Sequence, residues 1–135
     1  MANGEPEPTR DATGDSAAQD RRMTMCRLLI AERQIVERQL GLDLCANPYW
    51  DILLDIYLAR FEARSVYQSC LAPGAAPAKA HRQSTKLMRL GAVDRALDPE
   101  DHRRMNITLR EETCAALDRI MDLLAATWPP PPPSA

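Results

Sequence analysis

The chain has 135 residues, which is about the size of one domain. Hydrophobic residues make up 45% and charged residues 27%, a balance that excludes a fibrous protein and a wholly disordered one. The formal net charge of −2 gives no overall basic surplus that would indicate a nucleic-acid partner.

The charges are, however, distributed unevenly along the chain. Residues 1–20 carry five acidic residues against Arg10 alone, a net charge of −4. Residues 79–110 carry eight basic residues against four acidic ones, a net charge of +4. This asymmetry points to an anionic partner for the second segment.

Several classes of function find no support in the residue patterns. The four cysteines include no C-x-x-C pair and no histidine at ligand spacing, so we expect no metal site and no cofactor. His81 and His102 lie beside no recognisable nucleophile, and no Gly-rich phosphate loop occurs, so we expect no enzymatic activity. No signal-peptide pattern and no membrane-spanning apolar stretch is found, which indicates a soluble cytoplasmic protein with free thiols.

The N-terminal half predicts a tail followed by helices. Residues 1–20 lack an apolar period and are expected to form a disordered acidic tail. A helical period then runs from Arg21 to Leu40 and should end at Gly41. Asn47-Pro48 resembles an N-cap followed by a first-turn proline, and the apolar run 49–61 behind it predicts a central core helix.

A short helix, a turn and a basic helix are expected next. Ser65 and Gln68 have capping-box spacing, which predicts a short helix through Leu71 before the turn at Pro73-Gly74. A second helix, at about 76–90, turns small and apolar residues to one side. Its basic residues occupy a different arc, formed by Lys79, Arg82, Lys86 and Arg89.

The remaining chain predicts a hairpin and a last helix. A short extended stretch begins at Val93, turn residues follow at 98–101, and apolar residues alternate with polar ones over 104–109. A helix should follow from about Arg110 to Ala126. Residues 128–135 contain five consecutive prolines; we interpret them as a solvated tail, with a polyproline ligand for a groove-binding domain as the alternative.

This order of elements is that of a winged helix-turn-helix domain, and two stretches resemble a known family. The segment 87–93, LMRLGAV, and the segment 98–109, DPEDHRRMNITL, are similar to the signature L-x-x-x-G-L-V … D-P-x-D-x-R-x-x-x-V-x-L-T of MarR-type transcriptional regulators. The closest resemblance is to small MarR-like winged-helix proteins of proteobacteria. Its sharpest part is the wing motif Asp101-His102-Arg103.

The resemblance and the physics of groove binding together assign the DNA-contacting residues. Lys79 and Arg82 lie early in the helix and are candidates for base contact in the major groove, whereas Lys86 and Arg89 are candidates for backbone contact. By matching positions, the resemblance implies that Arg103 approaches the minor groove and Asp101 orients the wing loop. Thr85 and the phosphate candidate Arg104 complete the set of expected DNA-binding residues.

The terminal helices suggest a second copy of the chain. Two apolar stripes, Met25-Leu29-Val36-Leu40 and Leu117-Ile120-Leu124, would remain in water if the winged domain stood alone. MarR-type proteins dimerise through helices from both termini, so the resemblance implies a homodimer. It also makes Cys26 a candidate redox sensor, although a packed small residue is the simpler interpretation.

The predicted fold is mainly α with a small β-hairpin wing, a winged helix-turn-helix domain over residues 21–127 with additional N- and C-terminal dimerisation helices. The predicted function is that of a homodimeric, sequence-specific DNA-binding transcriptional regulator, with recognition helix 76–90 in the major groove and wing 93–109 at the minor groove. Double-stranded DNA and a second copy are the expected partners. The alternative is a winged-helix protein-interaction module without operator binding; a small-molecule effector is left open, since no residue pattern points to one.

Overall fold

The computed structural model of the chain describes residues 12–128. Five α-helices, one 3-10 turn and two strands follow one another in this part of the chain. They are α1 (Ala12–Leu40), α2 (Leu42–Cys45), α3 (Tyr49–Phe61), the 3-10 turn (Gln68–Cys70), α4 (Pro77–Arg89), β1 (Val93–Leu97), β2 (Met105–Leu109) and α5 (Glu111–Thr127).

Helix α1 is longer than the sequence predicts. It begins at Ala12 rather than at Arg21, so the prediction of disorder does not hold for residues 12–20. This segment has Ala17, Ala18 and Gln19, residue types that favour helix. The predicted end is confirmed at Gly41, whose φ of +85° suits glycine. The rest of the acidic tail and the proline tract lie outside the described residues.

Helix α3 is the predicted core helix, but it starts differently from the prediction. Tyr49 is its first residue, Pro48 precedes it, and no side chain caps it, so Asn47 is not the N-cap. A one-turn helix, α2, which was not predicted, lies just before it and buries Leu44. The apolar surface of α3 is also not fully covered, because Phe61 remains exposed.

The predicted capping box at Ser65 and Gln68 is wrong. Only the 3-10 turn forms there, and the Gln68 side chain instead accepts a hydrogen bond from Ser84 Oγ at 2.6 Å. The preceding residues extend the wing, since the backbone N–H of Ile107 donates to Val66 O at 2.9 Å. Tertiary pairing with β2 therefore takes precedence over the local cap in this segment.

The basic helix and the hairpin form as predicted. Helix α4 ends at Arg89. Gly91 follows the C-cap with a φ of +74°, and Ala92 N–H donates to Leu87 O, as in a Schellman motif. Strands β1 and β2 pair antiparallel with Arg95 opposite Ile107. This short connection fixes the wing next to the C-terminal end of α4.

The buried residues form two adjoining clusters. The larger cluster lies among α2, α3, α4 and the hairpin and contains Leu53 and Leu87, which are fully buried. The smaller cluster joins α1 to α5 through Val36, Leu117 and Ile120.

The smaller cluster corrects the sequence-based argument for a dimer. Val36, Leu117 and Ile120 are buried within one chain, so they do not need a second copy to leave water. The reason is that α1 and α5 pack on each other as well as on α3. Met25 and Leu29, in the other half of the same predicted stripe, remain exposed.

Candidate nucleic-acid interface

Helix α4 presents a basic face without acidic residues. Ala80, Gln83, Ser84 and Leu87 are buried on its inner side. Lys79 and Arg82 are exposed in its first turns. In residues 12–128, no carboxylate forms an ion pair with any lysine or arginine of α4. These cations are therefore free to contact an anion.

The far end of this face is partly supported by α3. The ammonium group of Lys86 lies 5.0 Å from the ring centre of Tyr49, a cation–π arrangement that restrains the lysine side chain. Tyr49 also lines an open groove of about 560 Å³ along α4, together with the basic residues Lys79, Arg82 and Arg89. Sequence reasoning placed Tyr49 in the core and missed this contact, because the signal for it is tertiary.

The wing is held together by its acidic residues. Asp98 is buried, and its carboxylate accepts a hydrogen bond from Glu100 N–H at 2.9 Å and pairs with Arg104 at 3.2 Å. The guanidinium of Arg104 also lies over the ring of Tyr67, at 4.6 Å. Arg104 is thus engaged within the protein at the base of the wing, and its predicted contact with phosphate would require it to leave these partners.

Asp101 organises the tip of the wing. Its carboxylate accepts hydrogen bonds from the backbone N–H and from Nε of Arg103, each at 3.0 Å. These bonds from Arg103 hold the pKa of Asp101 below its usual value, so the carboxyl is ionised at neutral pH. The Arg103 side chain remains 91% exposed, and its guanidinium can therefore meet a second anion without moving far.

The remaining candidates lie in different surroundings. Thr85 is half-buried, and its hydroxyl lies 3.4 Å from Arg95 Nη1, so it faces the wing. Arg95 itself was missed as a functional residue, because the sequence shows only its charge and not what it contacts. Cys26 is exposed on α1, an element separate from α4 and the wing.

The structure places four of the predicted residues on one helix and a fifth near its start. Lys79, Arg82, Lys86 and Arg89 share α4, and Arg103 of the wing lines a groove with Pro77 and Ala80 at the N-terminal end of that helix. Within residues 12–128, no three His, Cys, Asp or Glu side chains are placed to hold a metal ion. None of the helices described is long and apolar enough to cross a membrane.

Solved structures of MarR-type regulators have the same fold. The chain is similar to MepR of S. aureus in a DNA complex, with 21% identity and a TM-score of 0.60 over 78% of this chain and 85% of MepR. For the YusO protein of Bacillus subtilis the identity is 13% and the TM-score 0.64, over 87% and 79% of the two chains. For Sco3205, a MarR family transcriptional regulator from Streptomyces coelicolor in complex with DNA, the values are 18% and 0.52, over 88% and 75%.

No protein-family model matches the chain, and no curated protein is significantly similar to it in sequence. TM-scores of 0.52 to 0.64 with these solved structures show a common fold, although the sequence identities are only 13–21%. The predicted winged helix-turn-helix architecture of the MarR type is therefore confirmed.

Proposed function

We propose that the chain is a sequence-specific, DNA-binding transcriptional regulator that acts as a homodimer in the cytoplasm and has no enzymatic activity. Helix α4 would enter the major groove, with Lys79 and Arg82 at base edges and Lys86 and Arg89 at phosphates. Wing residues 93–109 would lie at the minor groove, with Arg103 as the contacting cation. Thr85 and Arg104 would contribute only after leaving their intramolecular contacts.

The observation that carries this proposal is the pairing pattern of the charges. On α4 the cations have no acidic partner in residues 12–128, whereas Asp98 and Asp101 of the wing are each satisfied by an arginine and by a backbone N–H. Two of the wing carboxylates that would repel phosphate are thereby neutralised. Glu100 stays exposed and forms no ion pair within residues 12–128, whereas every lysine and arginine of α4 is without an acidic partner there. Two structures with the same fold, MepR and Sco3205, were solved in complex with DNA.

The homodimer is supported by apolar surface that the chain leaves uncovered. Four large apolar side chains of α1 are between 40% and 54% exposed. They are Met23, Met25, Leu29 and Ile30. Several large apolar side chains exposed on one helix are typical of an interface, and a two-fold dimer would place two copies of α4 about one turn of DNA apart.

The experiment that tests the function is a selection of genomic fragments with the purified full-length chain, followed by affinity measurements at several salt concentrations. A regulator should enrich a common sequence and bind it with an affinity that falls steeply as salt rises, because each neutralised phosphate releases counterions. The same titration on mixed genomic DNA measures the non-specific affinity. Enrichment of no sequence, together with no salt-dependent binding, would favour the protein-interaction module.

A further inference from the structure

Arg95 connects the wing to the helix-turn-helix. It lies on β1, and its Nη1 reaches three side chains that belong to the other two elements of the site. The distances are 3.1 Å to Ser84 Oγ, 3.4 Å to Thr85 Oγ1 and 3.3 Å to Gln68 Oε1. Gln68 is in the 3-10 turn, and the other two residues are on α4.

Two of the acceptors of Arg95, Ser84 and Gln68, are held in place by a hydrogen bond to each other. Ser84 is fully buried, and its hydroxyl donates to Gln68 Oε1 at 2.6 Å, so a single hydrogen-bonded group joins α4 to the 3-10 turn. Networks in which each polar group is satisfied restrict the elements that carry them. Arg95 adds β1 to this network and so connects three elements.

The pairing of Arg95 differs from that of the other wing arginines. Within residues 12–128, Arg103, Arg104 and Arg110 form ion pairs with carboxylates, whereas the hydrogen bonds of Arg95 go to uncharged acceptors. A fourth contact, 3.5 Å long, reaches Nδ1 of His81, also on α4. Since arginine only donates, all these bonds run from the wing to the helix-turn-helix.

We propose that Arg95 is a positioning residue that sets the angle of the wing relative to α4. This inference rests on the proposed DNA-binding function and deepens it. When α4 occupies the major groove, the Arg95 connection would hold Arg103 at the adjacent backbone. Without that connection the hairpin is held less firmly against α4, and its tip is no longer aligned with that helix.

A double-mutant cycle on the selected DNA fragment tests this role. Arg103→Ala is measured alone and in the background of Arg95→Met, which keeps the apolar stem of Arg95 and removes its guanidinium. In the otherwise unchanged chain Arg103→Ala should weaken binding to all sequences. In the Arg95→Met background it should change Kd by less than about twofold, because coupled residues are not additive.

Arg110→Met is the matched control. It removes the same charge from the end of the hairpin, where Arg110 pairs with Asp94 rather than with α4. In this background Arg103→Ala should have its full effect. Equal effects of Arg103→Ala in the Arg95→Met and Arg110→Met backgrounds would show that Arg95 contributes only charge, and would overturn the proposal. Should Arg95→Met not fold, the cycle is run with Arg95→Lys, whose shorter side chain should reach the acceptors on α4 less well. Arg103→Ala should then lose part of its effect, and an undiminished effect of Arg103→Ala in this background would also overturn the proposal.

Hydrogen exchange without DNA tests the connection separately from the function. Amides of residues 93–109 should exchange faster in Arg95→Met than in the unchanged chain, while those of α5 should not change. Unchanged exchange in the wing would refute the positioning role. If the unchanged chain binds no DNA, the proposed function fails, and hydrogen exchange alone then decides whether Arg95 holds the wing.

Discussion

Single side chains decide which charges of the site are available. Arg82 is exposed on α4 and has no carboxylate partner in residues 12–128, while Arg104 pairs with Asp98 and Asp101 and lies over the ring of Tyr67. Both residues look equivalent in the sequence, as basic residues in a basic segment. The difference lies in which neighbours the fold brings to each, so the strongest functional expectation falls on Arg82.

Arg82→Ala should lower the affinity for the preferred site by about 1–3 kcal/mol and relax specificity at one base position, because a base contact is lost. Binding curves on the selected fragment and on random DNA measure both effects. Arg38→Ala, which removes an exposed arginine from the last turn of α1, is the control and should leave binding unchanged. Equal affinities of Arg82→Ala and the unchanged chain would count against a base contact.

Asp101→Asn should strengthen binding to all DNA sequences. The asparagine Oδ1 can still accept the backbone N–H of Arg103, so the loop keeps its shape, but Arg103 loses its ionic partner. Freed for a phosphate, Arg103 should steepen the slope of log affinity against log salt by about one unit. Asp55→Asn, which removes one of the two carboxylate partners of Arg64 outside the wing, is the control. A slope that does not change would contradict this role of Asp101.

The pH dependence of the Asp101 pair follows from its lowered pKa. A carboxyl whose pKa is lower in the folded state stabilises that state above its ordinary pKa of 3.8, and this contribution is lost as the pH falls through the folded value. The wing should therefore keep its structure between pH 5 and pH 8, the range in which most proteins are most stable. Protection factors of the amides of residues 93–109, which divide out the intrinsic rise of amide exchange with pH, measure it across this range, and a change in them near neutral pH would indicate another titrating group.

Tyr57 offers a second test at the residue scale. Its hydroxyl donates to Asp118 at 2.6 Å, and this bond, with burial, raises the pKa of Tyr57 to about 12. Because the folded pKa is raised, the stability from this bond is present below the ordinary tyrosine pKa of about 10 and is lost as the pH rises toward 12. Tyrosinate absorbance should show a late step that Tyr57→Phe removes; a titration complete near the ordinary value would disprove the shift.

The helices and strands of the domain are divided between the two buried clusters. Helices α3 and α4 and the hairpin share the larger buried cluster, whereas α1 and α5 share the smaller one. Tyr57 and Leu109 also contact the smaller cluster, so the two clusters are continuous through α3 and β2. The position of α4 is therefore linked, through these two clusters, to the packing of α1 and α5.

Leu117→Ala should lower the free energy of unfolding by about 2–5 kcal/mol, because Leu117 is fully buried between α1 and α5 and its truncation leaves a cavity. Denaturant unfolding measures this loss. Leu42→Ala removes the same atoms from a side chain that is 62% exposed and should change stability by less than about 0.5 kcal/mol. Similar losses for the two variants would mean that α5 does not pack as described.

At the scale of the whole molecule, the uncovered apolar face of α1 is the feature that a single chain does not explain. Deleting the helix would also remove Val36 from the smaller cluster, and loss of assembly could then not be separated from loss of folding. A substitution on the exposed face avoids this difficulty. Leu29 is 53% exposed and belongs to neither buried cluster, which makes it the suitable position.

Leu29→Glu should dissociate the dimer without unfolding the chain, because it would bury an unpaired carboxylate at the interface. Sedimentation should show a monomer at concentrations where the unchanged chain is a dimer. Affinity for DNA with two half-sites should fall, while affinity for a single half-site stays the same. Leu42→Glu, at the exposed position on α2, is the control. A Leu29→Glu chain that remains dimeric would show that α1 lies outside the interface.

The sequence by itself determined the elements whose signals are local. Gly41, with its positive φ, ends α1 where predicted, α4 forms over nearly the predicted range, and the alternation before Leu109 marks β2. The basic face of α4 follows from helical periodicity alone. Local signals fail where tertiary contacts compete with them: Gln68, expected in a capping box, binds Ser84 and Arg95 instead.

Only the tertiary structure decided which residues find their contacts within the chain itself. Val36 and Leu117 were predicted to be buried only against a second copy of the chain, yet they belong to one buried cluster within a single chain. Arg104 and Arg95, which have the same charge in the sequence, have an ionic and an uncharged environment in the fold. Periodicity reports the environment of a residue along its own helix or strand. Pairing between distant segments depends on how the chain folds, and the fold places Arg95 between the wing and α4.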